Sequence, residues 1–466
     1  MAYLHKFETV SAFTEARTEN YREPWVSAIV ENRRVNYNKT DEEKREELLN
    51  KPLTFKVTSD GVVRWRANRT ANTITIEYKK NDGEWESITS ATGDSAPSIS
   101  VVSGDILQFR GDNETYCPDN TTEARNTFSG TTCGFEVEGN IMSLINSTGF
   151  SAVTVLSSSH TFYSLFNYCT GLTQSKNLIL PALTLTNYCY GDLFNTCKYM
   201  LTSPELPATT LADNCYSSMF FYCHNMTDSP DLMATTIAYG CYSNMFAGCS
   251  SMTYVQETLP ATTLQQRCYL SMYSGCKNLL SAPSLPATIM QNACYQAMFQ
   301  NCTSLTEAPE LPAETLAASC YTKMFSACTS LTDAPNLPAS AISINCYCNM
   351  FADCVSMTGV PATLPATTLQ RNCYERMFYR CSGITTAPVL PATALAGSCY
   401  NYMFSGCSSL NYIKAMFTTT PNSNYTYKWV AGVASSGTFV KKSNASWDVN
   451  GENGVPTGWT VTTASS

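Results

Sequence analysis

The sequence predicts a multidomain fold: a small β-sandwich, then an α/β solenoid with a short strand and a short helix per rung, then a β-rich C-terminal cap. Three observations carry that reading. The phrase Cys-Tyr-x-x-Met-Phe-x-x-Cys recurs nine times in close variants, its first cysteine falling at 189, 215, 241, 268, 294, 320, 346, 373 and 399. A fixed apolar signature at a step of 26 or 27 residues marks a stacked solenoid, in which each unit buries its face only against its neighbours. Upstream of the repeats, short runs alternate apolar and polar residues, the period of half-buried strands. Charge is also unevenly spread: 19 of the first 52 residues are charged, against 20 of the 250 between 161 and 410. The N-terminal segment is therefore a different kind of object from the repeats.

Residues 1–52 read as an N-terminal attachment segment ending in a short helix. Thr40 with Glu43 fits a capping box, Asp41 and Glu42 suit the positive end of a helix, and Pro52 stops it. This piece is too small to stand alone and is expected to fold on a partner or on a second copy. Residues 53–140 form the β-sandwich (Ig-like) domain. Leu53-Thr-Phe-Lys-Val57 and Thr73-Ile-Thr-Ile-Glu-Tyr-Lys79 alternate, and Asn81-Asp-Gly83 is a hairpin turn. Roughly seven strands over about 85 residues suit such a sandwich.

Residues 141–410 form the solenoid. Prolines in phrases such as Ser304-Leu-Thr-Glu-Ala-Pro-Glu-Leu-Pro312 keep each strand short. Cys320, Met324 and Cys328 fall at i, i+4 and i+8, one face of a helix. Gln256 and the stretch 361–366 are insertions and should make local bulges. Residues 411–466 carry Tyr412, Phe417, Trp429, Phe439, Trp447 and Trp459 between turns. A solenoid needs an end cover, so this tail is the β-rich cap.

Composition narrows the function. A net charge of −8 argues against nucleic acid, which wants a basic stripe. No run of about 18 apolar residues is present, so no membrane insertion is expected. The start, Met1-Ala-Tyr-Leu-His-Lys-Phe, lacks the apolar stretch of a secretory signal; if Met1 is the native start, ordinary export is not expected. The 22 cysteines do not read as a disulfide framework. In a helix the two cysteines of a rung stand ~12 Å apart, beyond the roughly 7 Å that a disulfide spans. They read as buried thiols filling small apolar spaces, with pairing between adjacent rungs left open. Whether Cys117 and Cys133 pair is not legible. No CxxC occurs, and His5, His160 and His224 stand apart, so neither metal nor other cofactor is expected. Without a base for serine or cysteine chemistry, and with no P-loop, no catalytic residue is assigned and the chain is read as non-enzymatic.

The candidate binding face follows from variability within the repeat. The Met-Phe pairs read as core. The tyrosine after each first cysteine should stack into a ladder, its ring partly buried and its hydroxyl near solvent, and packing explains it better than sugar binding. Variable positions around the cysteines face outward and would set specificity. Arg267, Lys323, Arg371, Arg376 and Arg380 are the basic members, the last three forming a patch beside an acidic stretch of Glu307, Glu310, Glu314 and Asp333.

The phrase Phe404-Ser-Gly-Cys-Ser-Ser-Leu410, with Phe246-Ala-Gly-Cys-Ser-Ser-Met252 and Phe325-Ser-Ala-Cys-Thr-Ser-Leu331, resembles the BspA-type leucine-rich repeat of Bacteroidales surface proteins. That resemblance covers residues 141–410, but the longer period and the Leu-Pro-Ala-Thr-Thr-Leu insert depart from it, so curvature does not carry over. The opening His5-Lys-Phe-Glu-Thr-Val10, Glu23-Pro-Trp-Val-Ser27 and Val35-Asn-Tyr-Asn-Lys39 is similar to N-termini of virion proteins of Bacteroidales phages, including crAss-like phages. The resemblance implies a head-fibre, tail-fibre or decoration protein, on the virion surface after assembly in the bacterial cytoplasm. Phe7, Pro24, Trp25 and Tyr37 would dock on other virion proteins, and the solenoid would meet a host-surface or mucus glycan or protein. A homo-oligomer is expected, since weak sites gain by avidity. The alternative is a bacterial cell-surface adhesin with the same repeats.

Overall fold

The computed structural model describes residues 39–117 and 123–464. The docking expectations for Phe7, Pro24, Trp25 and Tyr37 lie outside the described residues. The chain divides into two compact units, Met1–Asn50 and Lys51–Ser466. In the first, helix α1 spans Lys39–Leu49 with Asp41 and Glu42 in its first turn, where the helix dipole favours acids.

The second unit begins with an antiparallel block in which burial alternates along Ser98–Val101 and Ile106–Arg110, whereas Leu53, Thr54 and Phe55 are buried in succession. β1 (Leu53–Val57), β4 (Thr75–Lys80), β5 (Trp85–Thr89), β7 (Ile106–Arg110) and β9 (Phe135–Asn140) belong to one sheet. Two small ladders pair β2 (Gly61–Arg64) with β6 (Ser98–Val101), and β3 (Arg66–Ala67) with β8 (Asn126–Thr127). The Asn81-Asp-Gly83 turn joins β4 to β5, with Asn81 at φ 51°. Asn81 also ties the turn to the start of β7, accepting from the Ile106 N–H at 2.8 Å. The large sheet does not stop at residue 140. β10 (Leu172–Ile179) pairs in parallel with β9, giving the order β10-β9-β1-β7-β4-β5. One buried apolar cluster runs from Leu53 to Trp459.

Within the repeats the structure corrects two expectations. The strand is reduced to single parallel bridges between rungs, such as Ser281↔Glu307, Glu307↔Asp333 and Asp333↔Gly359. Proline explains this: Pro283, Pro309 and Pro335 stand two residues further on and lack the N–H that a longer ladder needs. The short helix of each rung is not formed either. Between Cys215 and Cys223 the backbone makes a run of overlapping turns, and its amides alternate in what they bond. The N–H groups of Cys215, Ser217, Met219, Phe221 and Cys223 turn back to the carbonyl three residues earlier. Those of Asn214, Tyr216, Ser218, Phe220 and Tyr222 reach carbonyls of the next rung at 2.8–3.1 Å. Every second turn carries a positive φ at its third residue, as type II turns require: Asn214 at 54°, Ser218 at 54° and Tyr222 at 56°. A left-handed residue every fourth position breaks an α-helix, and the amides it frees bind the next rung instead.

The same turn ladder explains the repeated residues. Cys215, Tyr216, Met219, Phe220 and Cys223 are all buried, and so are their counterparts along the stack. Tyrosines from Tyr190 to Tyr400 stack with ring centroids 5.5–6.1 Å apart. A second column runs from Phe166 to Phe404, with Tyr273 in place of one phenylalanine. With rungs roughly 4.8 Å apart, such separations mean parallel rings offset by about 3 Å, a favourable stacking geometry. The tyrosine ladder is deeper than expected: its rings are at most 1% exposed, and the hydroxyls of Tyr190, Tyr321 and Tyr374 are buried with no partner.

The second cysteine of each rung has its own column. Its thiol donates to the aromatic residue's carbonyl in the preceding rung, as in Cys223 Sγ to Phe194 O at 3.2 Å and Cys407 Sγ to Phe378 O at 3.0 Å. Cysteine fits because it is small, apolar and still a weak donor. The rung cysteines are free thiols. Cys133 is a free buried thiol in the main core, whereas Cys117 belongs to a separate small cluster with Ala124 and Tyr163, so the two do not pair.

The C-terminal segment extends the stack. β11 (Tyr412–Ala415), β12 (Thr438–Lys442) and β13 (Thr460–Ala464) form a parallel sheet. The turn ladder continues for one more rung, with Tyr400, Tyr402 and Phe404 donating to the carbonyls of Tyr425, Tyr427 and Trp429. Trp429 ends the ring columns fully buried, its indole N–H bonded to Gly454 O at 2.9 Å.

Candidate functional site

Left-handed residues fall in three columns along the turn ladder: just before the first cysteine, three residues after it, and just before the second cysteine. For an L-residue this conformation costs about 1–2 kcal/mol, less for asparagine and nothing for glycine. Many members are therefore cheap, such as Asn214, Gly240 and Asn345 in the first column, Asn244 and Asn349 in the second, and Gly248 and Gly275 in the third.

The basic residues expected on the binding face occupy the same columns at greater cost. Arg267 (φ 57°) lies in the first, Lys323 (57°) and Arg376 (54°) in the second, and Arg380 (60°) in the third. Arg371 is exposed beside the first column but is not left-handed. Arg267 stands alone, four rungs before Arg371, and donates to the Tyr239 hydroxyl at 3.1 Å. Lys323 sits two rungs before Arg376, roughly 10 Å along the stack. The five residues thus do not form one patch.

Arg371, Arg376 and Arg380 do form one. The Arg376 guanidinium lies 4.7 Å from the Tyr402 ring centroid and 5.9 Å from that of Tyr379. Arg380 is 6.0 Å from Tyr379 and pairs with Asp353 at 3.2 Å. Glu375 lies among them: burial pushes its carboxyl up, and the positive charges of Arg376 and Arg371 oppose that. Tyr427 packs edge-on against Tyr402 at 5.2 Å, and Lys428 continues the second column beyond it. The result is a cationic surface interleaved with half-exposed phenol rings, suited to an anionic or hydroxyl-rich polymer. The acidic residues are arranged differently. Glu307 and Asp333 sit opposite each other in the column of strand bridges, not among the turns.

Tyr379, Tyr402, Tyr427 and Lys428 were not singled out in the sequence. Aligning rungs by the cysteine step would have placed Arg376, Tyr402 and Lys428 in one column. Cys348, the half-buried extra thiol, lies near Lys323, Glu375 and Arg376; its thiol is pushed up to about 11, chiefly by burial and then by Glu375. Among the described residues no group of acidic, histidine and cysteine side chains is placed to hold a metal ion. No described helix is long and apolar enough to cross a membrane.

Stacked rungs with an outward patch and a plugged end define a repeat protein. No family model matches the chain, and no curated protein matches it. Among solved structures it is similar to a leucine-rich repeat protein from Bacteroides ovatus, at 15% identity over 72% of this chain and 96% of that one, with a TM-score of 0.28.

Proposed function

We propose that this chain is a non-enzymatic appendage protein of a bacteriophage virion, a head fibre, tail fibre or decoration, that displays its stacked rungs for adhesion to a host-surface or mucus glycan or protein. The observation that supports adhesion is the gathering of Arg376 and Arg380 against the Tyr379 and Tyr402 rings on adjacent turns. Arginine, lysine and tyrosine stand at the left-handed positions Arg376, Arg380, Lys323 and Tyr402, where other rungs place small or short polar residues such as Ser271, Ala297, Asn349 and Asp353. Arg376, Arg380 and the tyrosine rings beside them make one cationic and aromatic surface, which is what a recognition face requires. Support for the virion role is the resemblance of the N-terminal phrases around Phe7, Pro24, Trp25 and Tyr37, which would dock on other virion proteins. Oligomeric mounting would multiply weak contacts by avidity.

Peptide mass spectrometry on density-purified virions and on the host envelope fraction tests this reading. A fixed ratio of this chain to the major capsid protein is the expected result. Absence from particles with enrichment in envelopes would overturn it in favour of a bacterial surface adhesin.

A further inference from the structure

A separate cavity of about 250 Å³ lies where β3 and β8 meet the first rung, far along the chain from the Arg376 surface. Arg66, Asn68, Arg125, Thr127, Asn167 and Tyr168 line it. Two features make it a built site rather than a gap. Arg66 is half-buried and has no ion pair among the described residues. Asn167 is only 6% exposed, and its Oδ1 has no hydrogen-bond partner. Tyr168 adds a phenol ring that is 59% exposed, held at φ 59°.

These groups ask for two things at once. A half-buried guanidinium without an ion pair, as at Arg66, favours an anion, and arginine matches a carboxylate through two parallel hydrogen bonds. A buried carbonyl oxygen without a donor asks for a hydroxyl or an N–H. An inorganic anion without a hydroxyl, such as sulfate, would turn acceptor against acceptor at Asn167. A neutral sugar would leave the Arg66 guanidinium without a counter-charge. The volume is below the roughly 300–1,000 Å³ of sites for drug-sized ligands, leaving room for about one sugar ring.

We propose that this cavity binds an acidic sugar. Its anionic group lies on Arg66 and Arg125, a ring hydroxyl donates to Asn167 Oδ1, and its less polar face meets Tyr168. The proposal does not depend on whether the chain is carried on a particle.

Isothermal titration calorimetry on the full chain tests it, with glucuronate and N-acetylneuraminate as probes and with glucose and sulfate beside them. The expected result is that at least one acidic sugar binds at least tenfold more tightly than glucose or sulfate. Arg66→Gln should weaken that binding tenfold or more with an unchanged far-ultraviolet circular dichroism spectrum. Tyr168→Ala, at an exposed position, should weaken it several-fold and decides the matter should the arginine variant misfold. Three results would overturn the proposal: neither acidic sugar binding, sulfate binding as tightly, or both variants titrating like the parent protein.

Discussion

Replacing Tyr273 with phenylalanine should stabilise the protein. Tyr273 sits in a column whose other members, from Phe166 to Phe404, are phenylalanine, and it stacks between Phe246 at 5.5 Å and Phe299 at 5.8 Å. It is fully buried, and its hydroxyl has no hydrogen-bond partner. Burial pushes that phenol well above its usual pKa. A buried polar group without a partner costs about 1–3 kcal/mol. The void left by one oxygen, on the order of 10–20 Å³, returns about 0.2–0.5 kcal/mol of that. The net gain is about 1–2 kcal/mol. Melting is a poor readout, because a unit of about 416 residues has an unfolding entropy near 0.9 kcal/mol/K and would shift by only about 1–2 °C. Native-state hydrogen exchange is better, since repeat arrays open by neighbouring rungs. The Tyr273 amide, bonded to Met298 O at 2.9 Å, should exchange about tenfold more slowly in Tyr273→Phe. Equal or faster exchange would refute the reasoning and mean that the hydroxyl has a partner, such as a buried water.

Other consequences follow from the same turn ladder and from the antiparallel block. Gly248→Ala should lose about 1–2 kcal/mol for its φ of +80°, measured by guanidinium unfolding. It should lose more because the new Cβ would lie 2.5 Å from the Tyr222 ring, and adding Tyr222→Ala should restore only that steric share. Thiol labelling at pH 8 should reach Cys348 alone among the rung cysteines, and slowly, since a pKa of about 11 leaves roughly one thiolate in a thousand. Buried thiols such as Cys302, pushed up to about 12 by burial, should label only after unfolding. Asp105 is held down to about 2 by Lys80, the Val102 N–H and Asn81. Its stabilising contribution is complete above the unfolded pKa of about 4 and is lost as pH falls through about 2. Asp105→Asn should therefore melt lower at pH 7 and show a flatter pH dependence of stability between about 4 and 2, followed by circular dichroism.

The repeat was legible in the sequence, but its local geometry was misread for a physical reason. Apolar residues at Cys320, Met324 and Cys328 satisfy a helical face, yet a ladder of turns with a left-handed residue every fourth position also returns side chains to one side every four residues. Spacing alone does not separate the two. What separates them is the residue at each left-handed position: asparagine, glycine and aspartate recur there, at Asn244, Gly248 and Asp353 for example. All three are poor in helix interiors and tolerant of positive φ. The same misreading put the tyrosine hydroxyls near solvent. On a helix the residue after the cysteine would turn towards the edge of the buried face, whereas in the turn ladder Tyr216 and Phe220 point inward with Cys215 and Met219.

The insertions show how far sequence reasoning reaches when it follows backbone bonding. From Thr184↔Thr210 to Asp228↔Tyr254 the bridges step by 26 residues, and one residue then has to be absorbed before the next Leu-Pro-Ala phrase. Gln256 absorbs it: its Oε1 accepts from the Leu232 N–H at 2.6 Å and its Nε2 donates to Thr258 O at 2.6 Å. The side-chain amide thus takes the place of a backbone peptide, and the rungs on either side keep their register. Because the insertion is contained in this way, the turn columns stay aligned over the whole stack. Arg376 can then meet Tyr402 of the next rung, and Lys428 can follow in the one after. That cationic and aromatic surface is a property of the alignment, which is why the Arg371, Arg376 and Arg380 patch could be named from the sequence while the Tyr402 ring and Lys428 that complete it could not.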